Sequence, residues 1–144
     1  MIIKQYEIVL KPKPRGYHLV TDEIEGKLID LKQFKAGIAN VFIQHTSASL
    51  TINENADPTV RMDFNTYFDR LVPENPSLYR HTSEGLDDMT SHIKTSILGN
   101  TLSIPISNGA FNIGAWQGIY LCEHRNSARS RRIVVTIIGE EYGK

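Results

Sequence analysis

The stretch that decides the fold is Leu102-Ser103-Ile104-Pro105-Ile106-Ser107-Asn108-Gly109-Ala110-Phe111-Asn112-Ile113. Two β-rich runs, 102–106 and 110–113, flank Asn108-Gly109, and an Asn-Gly pair between such runs is a strong hairpin signal. A hairpin is antiparallel by construction, so the chain's C-terminal half is predicted to build antiparallel sheet. Two further runs, 116–123 and 132–139, extend that sheet. Upstream, residues 2–10, 37–45 and 49–52 also read as strands. Strands and helices do not alternate regularly, which disfavours a doubly wound parallel sheet. The predicted fold is a single α+β domain over 1–144, with largely antiparallel sheets and about three helices.

The helices are read from caps and periodicity. Asp57-Pro58 is a helix start, with Asp as N-cap and Pro at the first helical position. Val60, Phe64, Phe68 and Leu71 form its apolar stripe, and Pro73 stops it. A helix from Thr21 or Asp22 is predicted from Ile24, Leu28, Leu31 and Phe34, ended by Gly37. A third helix runs over about 87–98, with Met89, Ile93 and Ile97 as its apolar face and Gly99 as its C-terminal cap. Residues 73–85 form a long polar loop, a length that often carries function.

Bulk properties narrow the function. The chain has 144 residues, 16 basic and 16 acidic side chains, and one cysteine. Balanced charge disfavours a general nucleic-acid or membrane-surface role. Cys122 lies in an apolar run and is expected to be a buried thiol. No apolar run approaches the roughly 20 residues of a membrane span, and no signal peptide is apparent. The expectation is a soluble cytoplasmic protein.

Chemistry concentrates in Gly85-Leu86-Asp87-Asp88-Met89-Thr90-Ser91-His92-Ile93-Lys94. Asp88 and His92 are four residues apart on a predicted helix and share a face. His81 and Glu84 lie just upstream. With His45, which closes a strand before Thr46-Ser47-Ala48-Ser49, the histidines His81 and His92 can make a three-histidine site for a divalent metal, zinc being the expected ion. Asp88 would then orient an imidazole; alternatively Glu84 and Asp88 transfer protons. Acids at a helix N-terminus also simply stabilise its macrodipole.

Other polar groups fall into three sets. Asn53-Glu54-Asn55 either fixes a substrate or forms the turn before the Asp57 cap. Trp116, the only tryptophan, and Gln117 lie in a glycine-rich segment that allows close backbone approach. Glu123-His124-Arg125, followed by Arg129, Arg131 and Arg132, supplies guanidinium groups suited to a phosphate. No P-loop, Rossmann fingerprint, nucleophile elbow or CxxC pair is present.

Four segments together resemble the YjbQ family: Pro14-Arg15-Gly16-Tyr17-His18, Gln44-His45-Thr46-Ser47-Ala48-Ser49-Leu50-Thr51-Ile52-Asn53-Glu54-Asn55, Asp87-Asp88-Met89-Thr90-Ser91-His92-Ile93-Lys94, and Gly114-Ala115-Trp116-Gln117-Gly118-Ile119-Tyr120-Leu121-Cys122-Glu123-His124-Arg125. The family is described as secondary thiamine-phosphate synthases. The resemblance implies sheets packed as a sandwich, a homotrimer, and a weak synthase activity that joins a pyrimidine diphosphate to a thiazole phosphate. It places His45, His81, His92 and His124 at the family's histidine positions, and Glu54, Asp88, Gln117 and Arg131 within its motifs. Two residues depart from the family pattern: Thr90 stands where proline is usual, and Ala115 where threonine usually precedes Trp-Gln.

The expected function is therefore a metal-dependent enzyme acting on a phosphorylated small molecule. Its expected catalytic residues are Asp88, Glu84, His124 and Glu54, and its metal ligands His45, His81 and His92. Ser47, Asn53, Trp116, Gln117, Arg125, Arg129 and Arg131 are expected to bind substrate. The alternatives are a non-catalytic module that senses a phosphorylated metabolite and an oligomeric scaffold.

Overall fold

Residues 1–143 are described in a computed structural model of the chain. Asn108 and Gly109 both adopt positive φ, 52° and 77°. They join β5 (Thr101–Ser107) to β6 (Ala110–Phe111), with Ser107 opposite Ala110. This is the two-residue turn predicted from sequence. A side chain at Gly109 would press against the Lys32 backbone at 2.9 Å, so shape as well as φ requires glycine there.

Every strand pairing is antiparallel. One sheet runs β1 (Ile2–Leu10), β8 (Arg131–Glu141), β3 (Phe34–Ile43), β5 and β6. The second sheet places β7 (Gln117–Glu123) between β2 (Gly16–Leu19) and β4 (Ala48–Glu54). Ile8, Val41, Ile104, Val135 and Ile137 of the larger sheet share one core with Leu50, Ile119 and Leu121 of the smaller. The sheets therefore pack face to face as a sandwich.

The smaller sheet is covered on both faces. Alternate residues of β7 point opposite ways: Ile119 and Leu121 face the larger sheet, while Tyr120 and Cys122 pack with Tyr17, Phe64, Phe68 and Leu98. Two helices lie on that outer side, α2 (Pro58–Leu71) and α3 (Leu86–Leu98). The Asp57 carboxylate accepts a hydrogen bond from the Thr59 N–H at 2.9 Å, the cap read from Asp57-Pro58. Cys122 is buried, and burial pushes its thiol pKa up to about 12, which makes it a packing residue.

Two expectations fail. The helix predicted from residue 21 to Gly37 is a single short turn, α1 (Thr21–Glu25), followed by a 3-10 turn at Leu31–Gln33. Ile24, Leu28, Leu31 and Phe34 are all buried as expected. They sit on consecutive i→i+3 turns, with Lys27 N–H bonded to the Ile24 carbonyl and Leu31 N–H to that of Leu28. Such turns repeat side chains at nearly the helical interval. Gly37 is mid-strand in β3 opposite Gly139, where a Cβ would lie 2.6 Å from the Ile138 carbonyl oxygen.

The second failure concerns α3. Its position is as predicted, but Asp87, Asp88, Thr90, Ser91 and Lys94 are buried while Ile97 is half exposed. The helix turns polar residues inward because the sheet beneath it is polar at that point. Ser91 Oγ donates to the His124 carbonyl at 3.0 Å, and Ser49 Oγ lies 2.8 Å from His124 Nε2.

Candidate functional site

The inward polar face of α3 begins with a paired anchor. Arg125 follows the end of β7, and its guanidinium reaches Asp87 Oδ2 at 3.0 Å, Asp88 Oδ1, and the Glu84 carbonyl at 3.1 Å. This fixes the first turn of α3 and leaves Asp88 Oδ2 for other partners. Two imidazoles meet that oxygen: His81 Nε2, from the loop before α3, at 2.7 Å, and His92 Nε2 at 3.2 Å. The three candidate ligand atoms lie within 4.8 Å of one another. Burial would raise the Asp88 carboxyl, but the His81 hydrogen bond and the charges of His92 and Arg125 hold it below its ordinary range.

The tautomer of His92 follows from its other partner. Nδ1 lies 2.8 Å from the Thr46 carbonyl oxygen. A carbonyl only accepts, so Nδ1 carries the proton. In the neutral ring Nε2 is then a bare lone pair, yet it faces the ionised Asp88. Two acceptors at 3.2 Å repel unless a cation lies between them, either a proton on the ring or a metal ion. A tetrahedral ion with bonds of about 2.1 Å sets its ligands roughly 3.4 Å apart, near the 3.2 Å from His92 to Asp88 Oδ2 and inside the 4.8 Å span of the three atoms, with His81, now at 2.7 Å, drawing back to admit it. Two imidazoles and one carboxylate thus fit a divalent ion.

His45 is not in this set. Its Nε2 accepts the Arg132 backbone N–H at 2.8 Å. Burial, reinforced by the Arg131 charge, lowers its pKa. It lines a cleft of about 510 Å³ that also touches Thr46, His92, Thr95 and Asn100. The cluster the fold assembles, His81, Asp88 and His92, differs from the three-histidine set read from the sequence: His45 meets the Arg132 N–H instead, and Asp88 stands between the two imidazoles.

A sequence model of the family described as "UPF0047 protein YjbQ-like" matches residues 6–140. The UPF0047 protein YjbQ of Escherichia coli is 52% identical over 136 residues, covering 94% of this chain and 98% of that protein. The chain belongs to the YjbQ/UPF0047 family. A Synechocystis UPF0047 protein is 41% identical, with 92% of this chain covered and 90% of that protein. A crystal structure of a YjbQ/UPF0047 protein from Clostridium acetobutylicum superposes with a TM-score of 0.80 at 36% identity, covering 92% of this chain and 99% of that one.

Against this family background the other predicted residues sort clearly. His124 is 2% exposed, and burial, with the charges of Lys94, Arg15 and Arg131, lowers its pKa to about 3. Its ring sits in the interior, with Nε2 2.8 Å from Ser49 Oγ. Arg131 makes a buried two-point pair with Glu123, at 2.7 and 2.5 Å, and reaches the Ser47 carbonyl at 3.3 Å. Arg125 is committed to Asp87 and Asp88. These two arginines hold protein carboxylates, and Arg129 is exposed on the same loop.

Glu54 accepts from the Ala56 and Asp57 N–H groups at 3.0 Å, which makes it the turn before α2. Asn53 Oδ1 accepts the Glu54 N–H, and Gln117 Oε1 accepts that of Gly114. Trp116 is 69% exposed. Glu54 pairs with Gln117 at one end of the β4–β7 ladder and Ala48 with Glu123 at the other. Six residue steps of about 3.3 Å separate the two ends by roughly 20 Å. Asn53, Glu54, Trp116 and Gln117 therefore lie far from the histidine cluster within one chain.

Both departures from the family pattern are accommodated. Thr90 is buried, its hydroxyl 3.4 Å from the Leu86 carbonyl. Ala115 is exposed, and its carbonyl accepts from the Asn55 amide at 3.1 Å. Residues that sequence reasoning missed include Thr95 and Ser96, which line the cleft. The signal was available: they follow His92 at three and four positions, on its own helical face.

Among the described residues, no helix is long and apolar enough to cross a membrane.

Proposed function

We propose that this protein is a metal-dependent enzyme whose working centre is His81, Asp88 and His92. The observation that supports the reading is His92 Nε2 lying 3.2 Å from the Asp88 carboxylate while Nδ1 is held by the Thr46 carbonyl, a pair that needs a cation between its atoms, a ring proton or a metal ion. Zinc is the proposed ion; the donor set also suits non-haem iron(II). When bound, a divalent ion supplies Lewis-acid polarisation and a water of lowered pKa. The chain's own residues do the rest. Thr46 and Arg125 fix the orientations of His92 and Asp88, and Glu84, exposed with Oε2 4.0 Å from His81 Nε2, is placed to accept a proton from a bound molecule.

A phosphorylated small molecule and a thiamine-phosphate synthase reaction enter the proposal through the family resemblance, as the first substrates to assay. The commitment of Arg125 and Arg131 to protein carboxylates argues that any phosphate group meets the metal rather than an arginine clamp. A homotrimer is part of the same proposal. An exposed apolar row crosses the larger sheet through directly opposed residues, Ile3, Ile138, Ile38 and Pro105, and three of them are 47–68% exposed. Such a row suits contact between copies; light scattering of the purified chain tests the assembly.

Metal analysis of purified wild type, His92→Ala and His45→Ala tests the centre. The expected result is bound divalent metal in wild type and His45→Ala and about tenfold less in His92→Ala, in line with loss of a ligand contact. Equal metal in His92→Ala and wild type refutes the site. Loss in His45→Ala to the same degree restores the three-histidine set.

A further inference from the structure

Helix α3 carries one continuous polar stripe. Asp88, His92, Thr95, Ser96 and Gly99 recur at helical intervals and share a face. The first two belong to the histidine cluster. The last three line the cleft of about 510 Å³ that is also lined by His92, His45 and Asn100. A rise of about 1.5 Å per residue carries the stripe roughly 10 Å beyond His92. A cleft of this volume suits a small metabolite.

The lining has a definite chemistry. No Asp, Glu, Lys or Arg borders the cleft. His45 is neutral where it accepts the Arg132 N–H on Nε2, so its remaining N–H is on Nδ1. Thr95 is the telling residue. A helical Ser or Thr commonly donates to a carbonyl one turn back, as Ser91 donates to Asp87 and Thr90 to Leu86. Thr95 Oγ1 is buried and has no partner at all. Thr95 also lines the cleft, so a rotation about χ1 that brought Oγ1 to the cleft would let a bound molecule satisfy it.

We propose that the cleft binds the uncharged, hydrogen-bonding body of a small-molecule substrate, with Thr95 as a specificity-determining residue. The substrate's other end reaches His81, Asp88 and His92, and in that respect the inference rests on the metal-centre reading. An anionic body would lose its water without gaining a cation. An alkyl body would leave Thr95 and Asn100 unpaired.

The test titrates the purified full chain with D-ribose, ribose 5-phosphate and inorganic phosphate. Heteronuclear NMR follows His45, Thr95 and Asn100, and metal content is measured on each sample. Ribose is expected to shift all three residues saturably, while inorganic phosphate leaves Thr95 and Asn100 unmoved. Thr95→Val should weaken ribose roughly fivefold, the loss of one neutral hydrogen bond, and Thr95→Ser should restore it. The proposal is overturned by absence of a saturable ribose shift at these residues, by inorganic phosphate displacing ribose from them, or by unchanged ribose affinity in Thr95→Val. The parent reading fails separately: if the chain binds ribose through Thr95 but takes up no divalent metal when it is supplied, the cleft stands and the metal centre falls.

Discussion

The two ends of the β4–β7 ladder carry similar residue types and do opposite work. At the Glu123 end, carboxylates, arginines and histidines are buried and locked to one another. Arg131 grips Glu123 and Ser47, Arg125 grips Asp87 and Asp88, and His124 sits against Ser49. At the Gln117 end, the side chains of Glu54, Asn53 and Gln117 accept from nearby backbone N–H groups, and Trp116 stands in solvent. The difference comes from what covers the strands. Helix α3 lies across the first end and excludes water, so each polar group there needs a protein partner. The second end opens to solvent, where such groups are satisfied at little cost.

The largest expected effect breaks the first end at its centre. Asp88→Asn keeps the shape of the side chain but removes the charge shared by His81, His92 and Arg125. Bound metal and any turnover should fall by about two orders of magnitude. Inductively coupled plasma analysis and an assay of the wild-type activity check this. Full metal content in the Asp88→Asn variant would assign the cluster to a structural hydrogen-bond network.

How much of this contrast is legible in sequence depends on how local each signal is. Asn108-Gly109, Asp57-Pro58 and the Asp88–His92 interval are contained within a few residues, and each reads correctly. The inward polar face of α3 does not. Met89, Ile93 and Ile97 suggest an apolar face, and only the sheet beneath, with Ser49 and His124, makes the polar face the buried one. The separation of His45 from the His81–Asp88–His92 cluster is likewise tertiary. His45 meets Arg132 across 87 positions of sequence, a pairing no spacing rule supplies. Arg125 and Arg131 look like a phosphate clamp because their carboxylate partners are brought to them by the fold.

Next in size is the buried pair. Glu123→Gln leaves Arg131, 8% exposed, without a counter-charge. Breaking such a pair costs about 3–5 kcal/mol, read as a lower denaturation midpoint with unchanged m-value. The double variant Glu123→Leu with Arg131→Met should recover most of that stability. It should not recover metal affinity fully, because the Arg131 hold on Ser47, next to the Thr46 carbonyl that orients His92, is gone. Full recovery of both would make the pair purely structural.

A smaller effect is expected from pH. His124 titrates near 3 in the folded protein because burial and the surrounding cations oppose its protonation, against about 6.5 when unfolded. Between those values the unfolded chain binds a proton that the native chain does not, so stability rises with pH across the window and falls as pH drops from about 6.5 towards 3. The slope is about 1.4 kcal/mol per pH unit below about pH 6. His45, also lowered, adds to it in the same direction. Carboxylates with lowered values, such as Asp69 and Asp87, lose their contribution further down, as pH falls from the usual carboxylate range through their lowered values. Denaturant titrations between about pH 7 and pH 5 should therefore show a slope that His124→Gln removes in large part. An equal slope in the variant would place the acid sensitivity elsewhere.

The smallest expected effect is at the open end. Trp116→Ala removes a mostly exposed ring that covers no core, so stability should change by no more than about 0.5 kcal/mol. Metal content should not change, since roughly 20 Å of strand separates Trp116 from the cluster within one chain. Thermal melts and metal analysis of the purified variant check both. Activity is the sharper readout, because it is sensitive to assembly as well as to the single chain. If Trp116→Ala abolishes turnover while fold and metal persist, the open end of one copy meets the histidine end of another. Mixing Trp116→Ala with Asp88→Asn chains then restores part of the activity, since a mixed oligomer contains some sites with both residues intact. If turnover survives the substitution, the two ends remain as different in function as they are in burial, and the site belongs to one chain.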